Sequence, residues 1–355
     1  MSSLIVEVCK VNSVEPHPNA DKLDLIGVKG WSCIVGRNNY KVGGLVVFCP
    51  TDSIIPPNLI EKYSLEFLRK NGRVGTIKLR GVISQGLVLD IPLGVSWEEG
   101  QDVANELGIT KWEPPVQGPV NFRGQTPTKK KLNPLFDVYT DIENIKNFPD
   151  IFIEGEPIVL TEKIHGTNFR AGVLSRYTGS LWGCFLRLIF GKYEFVYGSH
   201  RVQKTVGNRN KGFYGEDVYG QIAKKYNLAK VIPSDFLLYG EIYGPGIQDL
   251  AYGQKEIDVV FFDVKYKGQY LDYQDFKNFC MGLKLPVAPE LYVGQFDRKI
   301  LESETVGNST LSGNQVREGV VVRPFEEQYD NRIGRKILKS VNLEYLLRKN
   351  PTEFH

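Results

Sequence analysis

A tract rich in proline and glycine, Glu113-Pro114-Pro115-Val116-Gln117-Gly118-Pro119, interrupts the chain about a third of the way along its 355 residues. Proline lacks the backbone donor that a helix or central strand needs, and glycine loses the most conformational freedom on ordering. Regular structure therefore stops at such a tract. A chain of this length accommodates about two domains. The tract predicts a first domain over 1–115, a linker over 116–133 and a second domain over 134–355. Hydrophobic residues make up 42% of the chain, enough for two cores, which excludes a globally disordered or collagen-like chain.

The two parts differ in rhythm. Before the tract, β-branched runs at 4–9, 25–28, 45–48 and 87–91 are separated by Gly, Pro and Asn turns, the pattern of a small barrel or sandwich. One helix is predicted over Pro57–Lys70, where Leu59, Ile60, Tyr63 and Phe67 recur at helical spacing. After the tract, strands predicted at 157–163, 236–242, 258–264 and 319–323 alternate with helices at 217–226 and 273–283. The chain reads as α+β, without the regular βαβ rhythm of a doubly wound sheet. Neither a G-x-G-x-x-G nor a G-x-x-x-x-G-K-[ST] phosphate loop occurs.

The formal net charge of +3 permits contact with nucleic acid without arguing for it. Five scattered cysteines, no C-x-x-C pair and four histidines argue against a disulfide framework or structural zinc. They point to a reducing compartment, cytoplasmic or otherwise intracellular. The N-terminus lacks a basic start followed by an apolar core. The stretch 181–190, LWGCFLRLIF, is too short to span a bilayer and contains Arg187. It reads as a partly exposed hairpin or a buried element. The run Thr128-Lys129-Lys130-Lys131 reads equally as a solvated linker or a phosphate contact.

Charged residues on apolar strands are the strongest functional signal. In Thr161-Glu162-Lys163-Ile164-His165-Gly166-Thr167-Asn168, a strand over 158–165 would put Lys163 and His165 on one face. Glu241 interrupts LLYGEIYG, Glu318 heads EGVVVRP and Lys339 lies in KILKSVN. A lysine or glutamate in such runs is costly unless paired or functional.

These residues carry a resemblance. K-x-H-G-x-N at Lys163–Asn168 resembles the first motif of the RNA ligase 2-like branch of covalent nucleotidyltransferases. Ser199-His200-Arg201, Tyr239-Gly240-Glu241, Val260-Phe261-Phe262-Asp263, Glu318-Gly319-Val320-Val321 and Leu338-Lys339-Ser340-Val341-Asn342 resemble its later motifs, in the family's order. The resemblance implies a nucleotidyltransferase domain of antiparallel sheets with flanking helices. It implies an ATP-dependent RNA ligase in which Lys163 takes AMP from ATP, with Mg²⁺ or Mn²⁺ as the metal.

A lysine nucleophile must first lose its proton. Moving its pKa from ~10.4 to roughly 7 costs about 4–5 kcal/mol, which a neighbouring cation and a divalent metal can supply. By resemblance Lys339 is that cation and also holds the α-phosphate. Glu241 and Glu318 orient the metal or its waters, and Glu241 is also a candidate ribose contact. Phe262 stacks on adenine, while His165 and Asn168 contact phosphates. The implied nucleotide pocket extends to Glu162 and Arg201, the latter also serving the nucleic-acid steps. One departure matters: the family's last motif often has a second lysine where this chain has Val341. Lys336 is carried as an alternative cation of the pocket, although in a strand it would point to the opposite face; Arg335 has the right parity.

The first domain resembles OB-fold tRNA-binding modules at Glu15-Pro16-His17-Pro18-Asn19-Ala20-Asp21-Lys22-Leu23 and Leu79-Arg80-Gly81-Val82-Ile83-Ser84-Gln85-Gly86. An OB-like barrel offers a groove with stacking aromatics. Arg37, Lys78 and Arg80 are the expected nucleic-acid contacts, with Trp31 or Tyr40 as platforms. Over 1–115 there are 12 Lys+Arg and 13 Asp+Glu, so any such surface is narrow. With sixteen residues after Lys339, an OB-like module in front of the catalytic domain resembles RNA ligase family 5. That branch seals 3′-OH/5′-phosphate nicks whose 3′-OH strand is RNA. The expected partner is RNA or an RNA-containing duplex, bound by a monomer away from membranes. An RNA-binding accessory protein with an inactive catalytic half is the alternative from another class. An mRNA-capping guanylyltransferase would carry K-x-D-G in place of Lys163-Ile164-His165-Gly166.

Overall fold

The computed structural model describes residues 4–68, 71–112, 133–176, 189, 191–200, 202–205 and 214–348. The 128–131 lysine run, Arg201 and, apart from Ile189, the 181–190 stretch lie outside the described residues. The chain divides into two compact units. One comprises Met1–Pro114, Asp141–Phe152 and Leu346–Lys349; the other comprises Pro115–Thr140, Ile153–Tyr345 and Asn350–His355.

The first unit is built on five strands in the order Trp31–Gly36, Leu23–Val28, Glu7–Pro16, Leu45–Cys49 and Leu87–Leu89, all antiparallel neighbours. The long Glu7–Pro16 strand changes partner midway. Residues 7–10 pair with 45–48, and beyond Val11 the strand pairs with 24–28 through an irregularity at Val11/Ser13. Such a break bends a strand and lets a sheet coil on itself, here into a small OB-like barrel. Val8, Val47, Cys49 and Leu89 fill one part of its core, and Val11, Ile26, Val28 and Phe48 another.

Three local features differ from the sequence reading. The strand Trp31–Gly36 has no counterpart among the runs first recognised. The expected helix ends early, at Pro57–Lys62. Ser64 adopts a left-handed φ of 51°, which stops the helix and leaves Phe67 65% exposed. Trp31 is only 5% exposed, stacks on Phe48 and donates from Nε1 to Asn147 Oδ1 at 2.8 Å. A buried indole offers no open face to a base, so Trp31 is a core residue rather than a stacking platform. The two signature segments of this unit lock together: Asn19 Nδ2 donates to the Arg80 carbonyl at 2.9 Å, and Arg80 Nη1 donates to the Asn19 carbonyl at 3.3 Å.

The second unit holds two antiparallel sheets. One runs Gln203–Thr205, Tyr193–Gly198, Thr167–Ser175, Phe236–Tyr243, Asp258–Tyr266 and Gln269–Tyr270. The other places Leu338–Val341, Gly319–Pro324, Pro157–Glu162 and Glu290–Gln295 side by side. Helices Val218–Lys225 and Tyr273–Gly282 send Val218, Ile222, Phe276 and Cys280 into the core made by Phe169, Leu238, Ile242 and Phe261.

A buried ionic network ties the two sheets. Asp263, fully buried on one sheet, lies 3.3 Å from Arg323 of the other and 2.5 Å from Arg335. Tyr139 Oη donates to Asp263 Oδ2 at 2.8 Å, and Glu327 accepts from both arginines. Burial works to raise the Asp263 carboxyl, but the two guanidinium charges outweigh it and hold the group below the usual carboxylate range. Arg335, whose guanidinium also stacks 3.6 Å from the Tyr270 ring centre, is committed to this network. It does not replace the second lysine of the last motif.

Candidate active site

The segment Lys163–Gly166 is the connection by which the chain leaves one sheet at Glu162 and enters the other at Thr167. The expected strand through residue 165 therefore stops three residues short. Lys163 keeps one more rung of the ladder, its N–H donating to the Gly319 carbonyl at 3.0 Å. Gly166 then allows a close approach: a Cβ there would lie 2.1 Å from the Ile242 carbonyl oxygen. Any larger residue would displace the strand that carries Glu241.

Strand register sets the faces. Thr161 pairs with Val321 and Val321 with Lys339, so these three share one face, and Lys163, two residues after Thr161, returns to it. Val341 pairs with Gly319, on the rung reached by Lys163. The position that lacks the second lysine is thus in the row of Lys163 itself.

Lys163 Nζ donates to Glu318 Oε1 at 2.6 Å. Burial works to lower the lysine pKa, but the Glu318 charge and hydrogen bond, with a further contribution from Glu241, raise it above its ordinary value. At rest the amine is an ammonium locked in an ion pair, not the unprotonated nucleophile. Glu241 shows the opposite response. Burial, helped by the Glu318 charge, pushes its carboxyl up to about 8 against the pull of Lys163 and the Gly166 N–H.

A carboxyl whose folded pKa exceeds its unfolded one contributes stability that is present below the unfolded value and lost as pH rises through the folded value. Glu241→Gln cannot ionise. In EDTA it is expected to be more stable than the wild type at pH 9 by about 2–4 kcal/mol. The gap should close towards pH 4.5, and denaturant melts at the two pH values read it. A gap independent of pH would show that Glu241 titrates normally.

His165 is 4% exposed and fully engaged. Its Nε2 lies 2.7 Å from Asp249 Oδ1, its Nδ1 lies 2.8 Å from Tyr345 Oη, and its backbone N–H donates to Tyr252 Oη at 2.7 Å. Burial lowers its pKa, and Lys163 adds to that against the pull of Glu318 and Asp249, so the ring is neutral near pH 7. With both nitrogens held by side chains, the ring has no nitrogen left over for a phosphate in this conformation. Asp249, Tyr252 and Tyr345 are 84, 87 and 180 residues away in sequence, and no motif marks them.

The other expected residues fall in different places. Asn168 faces Glu241 directly across the strand pair, with its Oδ1 buried and without a hydrogen-bond partner. Glu162 is turned to the opposite face from Lys163, where its Oε2 accepts from the Thr310 N–H at 2.9 Å and hydroxyl at 2.6 Å. Phe262 is the extra residue of a bulge between Tyr239 and Gly240. It is half-buried, with its ring packed edge-on to Tyr139 at 4.8 Å. Lys336 Nζ donates to Glu156 Oε2 at 2.7 Å. Arg170 donates to the Ser199 and His200 carbonyls, fixing the segment before Arg201. In the first unit Arg37, Lys78 and Arg80 are all exposed, Arg37 beside Asp24 at 3.3 Å.

The donor set suits a hard divalent cation. Glu241 and Glu318 act on each other electrostatically around a single ammonium. Among the described residues no three His, Cys, Asp or Glu side chains gather as a metal cluster. Two carboxylates are a sparse site, of the kind that Mg²⁺ completes with water and phosphate oxygens.

Comparison with known proteins gives a consistent result. A family model described as RNA ligase matches residues 156–341, and an OB-fold domain model matches residues 5–91. No curated protein matches. Among solved structures, a variant of the Naegleria gruberi RNA ligase with ATP and Mn is 22% identical with a TM-score of 0.74, covering 96% of this chain and 98% of that chain. The Naegleria gruberi RNA ligase with PPi is 23% identical with a TM-score of 0.73, covering 97% and 98%. At such identity the likeness establishes a shared fold over both units.

Proposed function

The chain belongs to the RNA ligase family, and from that premise we propose that it joins RNA 3′-OH and 5′-phosphate ends in an ATP-dependent reaction carried by Lys163. The observation that carries this reading is the amine of Lys163 held against Glu318, with Glu241 beside it, inside the family-matched segment. The ligands of the Naegleria structures, ATP with Mn and AMP with Mn, are those such a reaction consumes and leaves.

In the first step Lys163 Nζ attacks the α-phosphorus of ATP, forming a P–N bond as the bond to pyrophosphate breaks. The hydrogen bond to Glu318 Oε1 gives the departing ammonium proton an acceptor. Lys339, on the same face, meets the negative charge that grows on the phosphoryl oxygens. A divalent ion held by Glu241 and Glu318 would neutralise phosphate charge and favour the unprotonated amine. AMP then passes to an RNA 5′-phosphate, making a 5′–5′ pyrophosphate. A 3′-OH attacks that activated phosphate and AMP leaves.

Nicks in duplexes whose 3′-OH strand is RNA are the favoured substrate, with the OB-like barrel holding nucleic acid through exposed Arg37, Lys78 and Arg80. The reading suits a reducing compartment. Cys9, Cys33, Cys49 and Cys280 are free and buried, and burial pushes Cys9, Cys33 and Cys280 up to about 12. Among the described residues no helix is long and apolar enough to cross a membrane.

The test is incubation with Mg²⁺ and α-labelled ATP or GTP, followed by denaturing electrophoresis. Label retained from ATP is the expected result. Label from GTP alone would indicate a capping-type enzyme, and no label an inactive catalytic half.

A further inference from the structure

The connection between strands Phe236–Tyr243 and Asp258–Tyr266 delivers three groups onto the His165-Gly166 turn. Asp249 meets His165 Nε2 at 2.7 Å, Tyr252 Oη accepts the His165 N–H at 2.7 Å, and Gln248 Nε2 donates to the Gly166 carbonyl at 3.0 Å. On the other side of the ring stands Tyr345, edge-on at 5.4 Å, with its hydroxyl 2.8 Å from Nδ1. Tyr345 belongs to the short helix Leu343–Leu346 that follows the strand of Lys339. The imidazole thus bridges the element that carries the nucleophile and the one that carries its expected phosphate cation.

Hydrogen-bond chemistry selects one arrangement of this bridge. A neutral imidazole has one N–H and one acceptor nitrogen, a carboxylate only accepts, and a phenol can donate. Both bonds are satisfied only when Nε2–H donates to Asp249 and Nδ1 accepts from the Tyr345 hydroxyl. The Lys163–Gly166 segment lies outside the strands, so beyond Lys163 its shape depends on such side-chain bonds.

We propose that Asp249 is a positioning residue for nucleotide transfer to Lys163: it fixes His165 as the Nε2–H tautomer and, through that ring, holds the Lys163–Gly166 turn between Asp249 and Tyr345. This rests on the adenylyl-transfer reading above. Misplacing a reacting group by about 1 Å can cost about 10²-fold in rate.

The experiment uses the full chain with ¹⁵N-histidine and the variants Asp249→Ala and Asp249→Asn. Long-range ¹H–¹⁵N spectra, with the His165 signals assigned by their loss in His165→Gln, should show a single Nε2–H tautomer in the wild type. In Asp249→Ala that single tautomer should be lost. Label uptake at saturating ATP should fall about 10–100-fold, with half-saturating ATP changed less than about threefold and the melting temperature nearly retained. Asp249→Asn, whose side-chain oxygen can still accept from Nε2–H, should recover the tautomer and most of the rate. An Nδ1–H or mixed tautomer in the wild type, or a rate within twofold in Asp249→Ala, overturns the proposal. A wild type that takes no label defeats the adenylyl-transfer reading instead, and the tautomer spectrum still judges the anchor.

Discussion

Lys163→Ala is expected to lose covalent nucleotide uptake by at least about 10³-fold while still sealing a pre-adenylylated nick. The size of the loss follows from the placement of the neighbouring lysines among the described residues. The Lys163 ammonium is bound to Glu318 at 2.6 Å, Lys336 is held by Glu156 at 2.7 Å, and the adjoining row position carries Val341. Lys339 shares the face but stands a strand away, beyond Val321. Covalent catalysis through a single amine has no partial form, so uptake should fall to background. Sealing a substrate that already carries AMP bypasses that amine and should stay within about tenfold of the wild type. Gel detection of the labelled protein, beside a sealing assay on adenylylated RNA, reads both halves. If the variant took label at the wild-type rate, another residue would be the nucleophile.

Asp263→Asn should be among the most destabilising single substitutions in the second unit. The amide fits the space but removes one of the two carboxylates shared by Arg323 and Arg335, both 3% exposed, leaving only Glu327. Removing one member of a buried ionic cluster costs about 3–5 kcal/mol, because the remaining charge stays desolvated. In a unit of this size that lowers the melting temperature by roughly 10 °C. The pH dependence has a definite sign. The folded Asp263 pKa is depressed, so its contribution is present above the ordinary aspartate pKa and lost as pH falls through the folded value. The gap between wild type and variant should be full at pH 7 and shrink in acid. A melting temperature unchanged at pH 7 would mean that Glu327 neutralises both arginines alone.

Four strands of the second unit could be read from its apolar runs, whereas Thr167–Ser175, Tyr193–Gly198 and Glu290–Gln295 went unread. The strands at 157, 236, 258 and 319 start where apolar runs begin, because a run covered on both faces needs no finer pattern to declare itself. Failures occurred where a local rule met a tertiary one. Leu59, Ile60, Tyr63 and Phe67 have helical spacing, yet the left-handed Ser64 ends the helix before the pattern does. The alternation that grouped Lys163 with His165 assumed a strand, and the chain leaves its sheet at Glu162. Glu162 and Lys163 are neighbours in sequence but face opposite ways, one to Thr310 and the other to Glu318. Asp249 and Tyr345 had no signal at all: a lone Asp or Tyr in a loop or short helix has no spacing that reveals a partner more than 80 residues away.

The discontinuity of the first unit bears on how the protein can be dissected. Residues 141–152 belong to that unit although they follow the Pro/Gly tract. A fragment cut at that tract would strip Asn147 from Trp31 and the Lys146 ammonium from Gln85, which it meets at 2.7 Å. Such a truncation would expose an indole meant for the interior, so aggregation of the fragment would say nothing about RNA affinity. An excised barrel intended for binding measurements needs its distant strap supplied in trans or spliced back by a short linker.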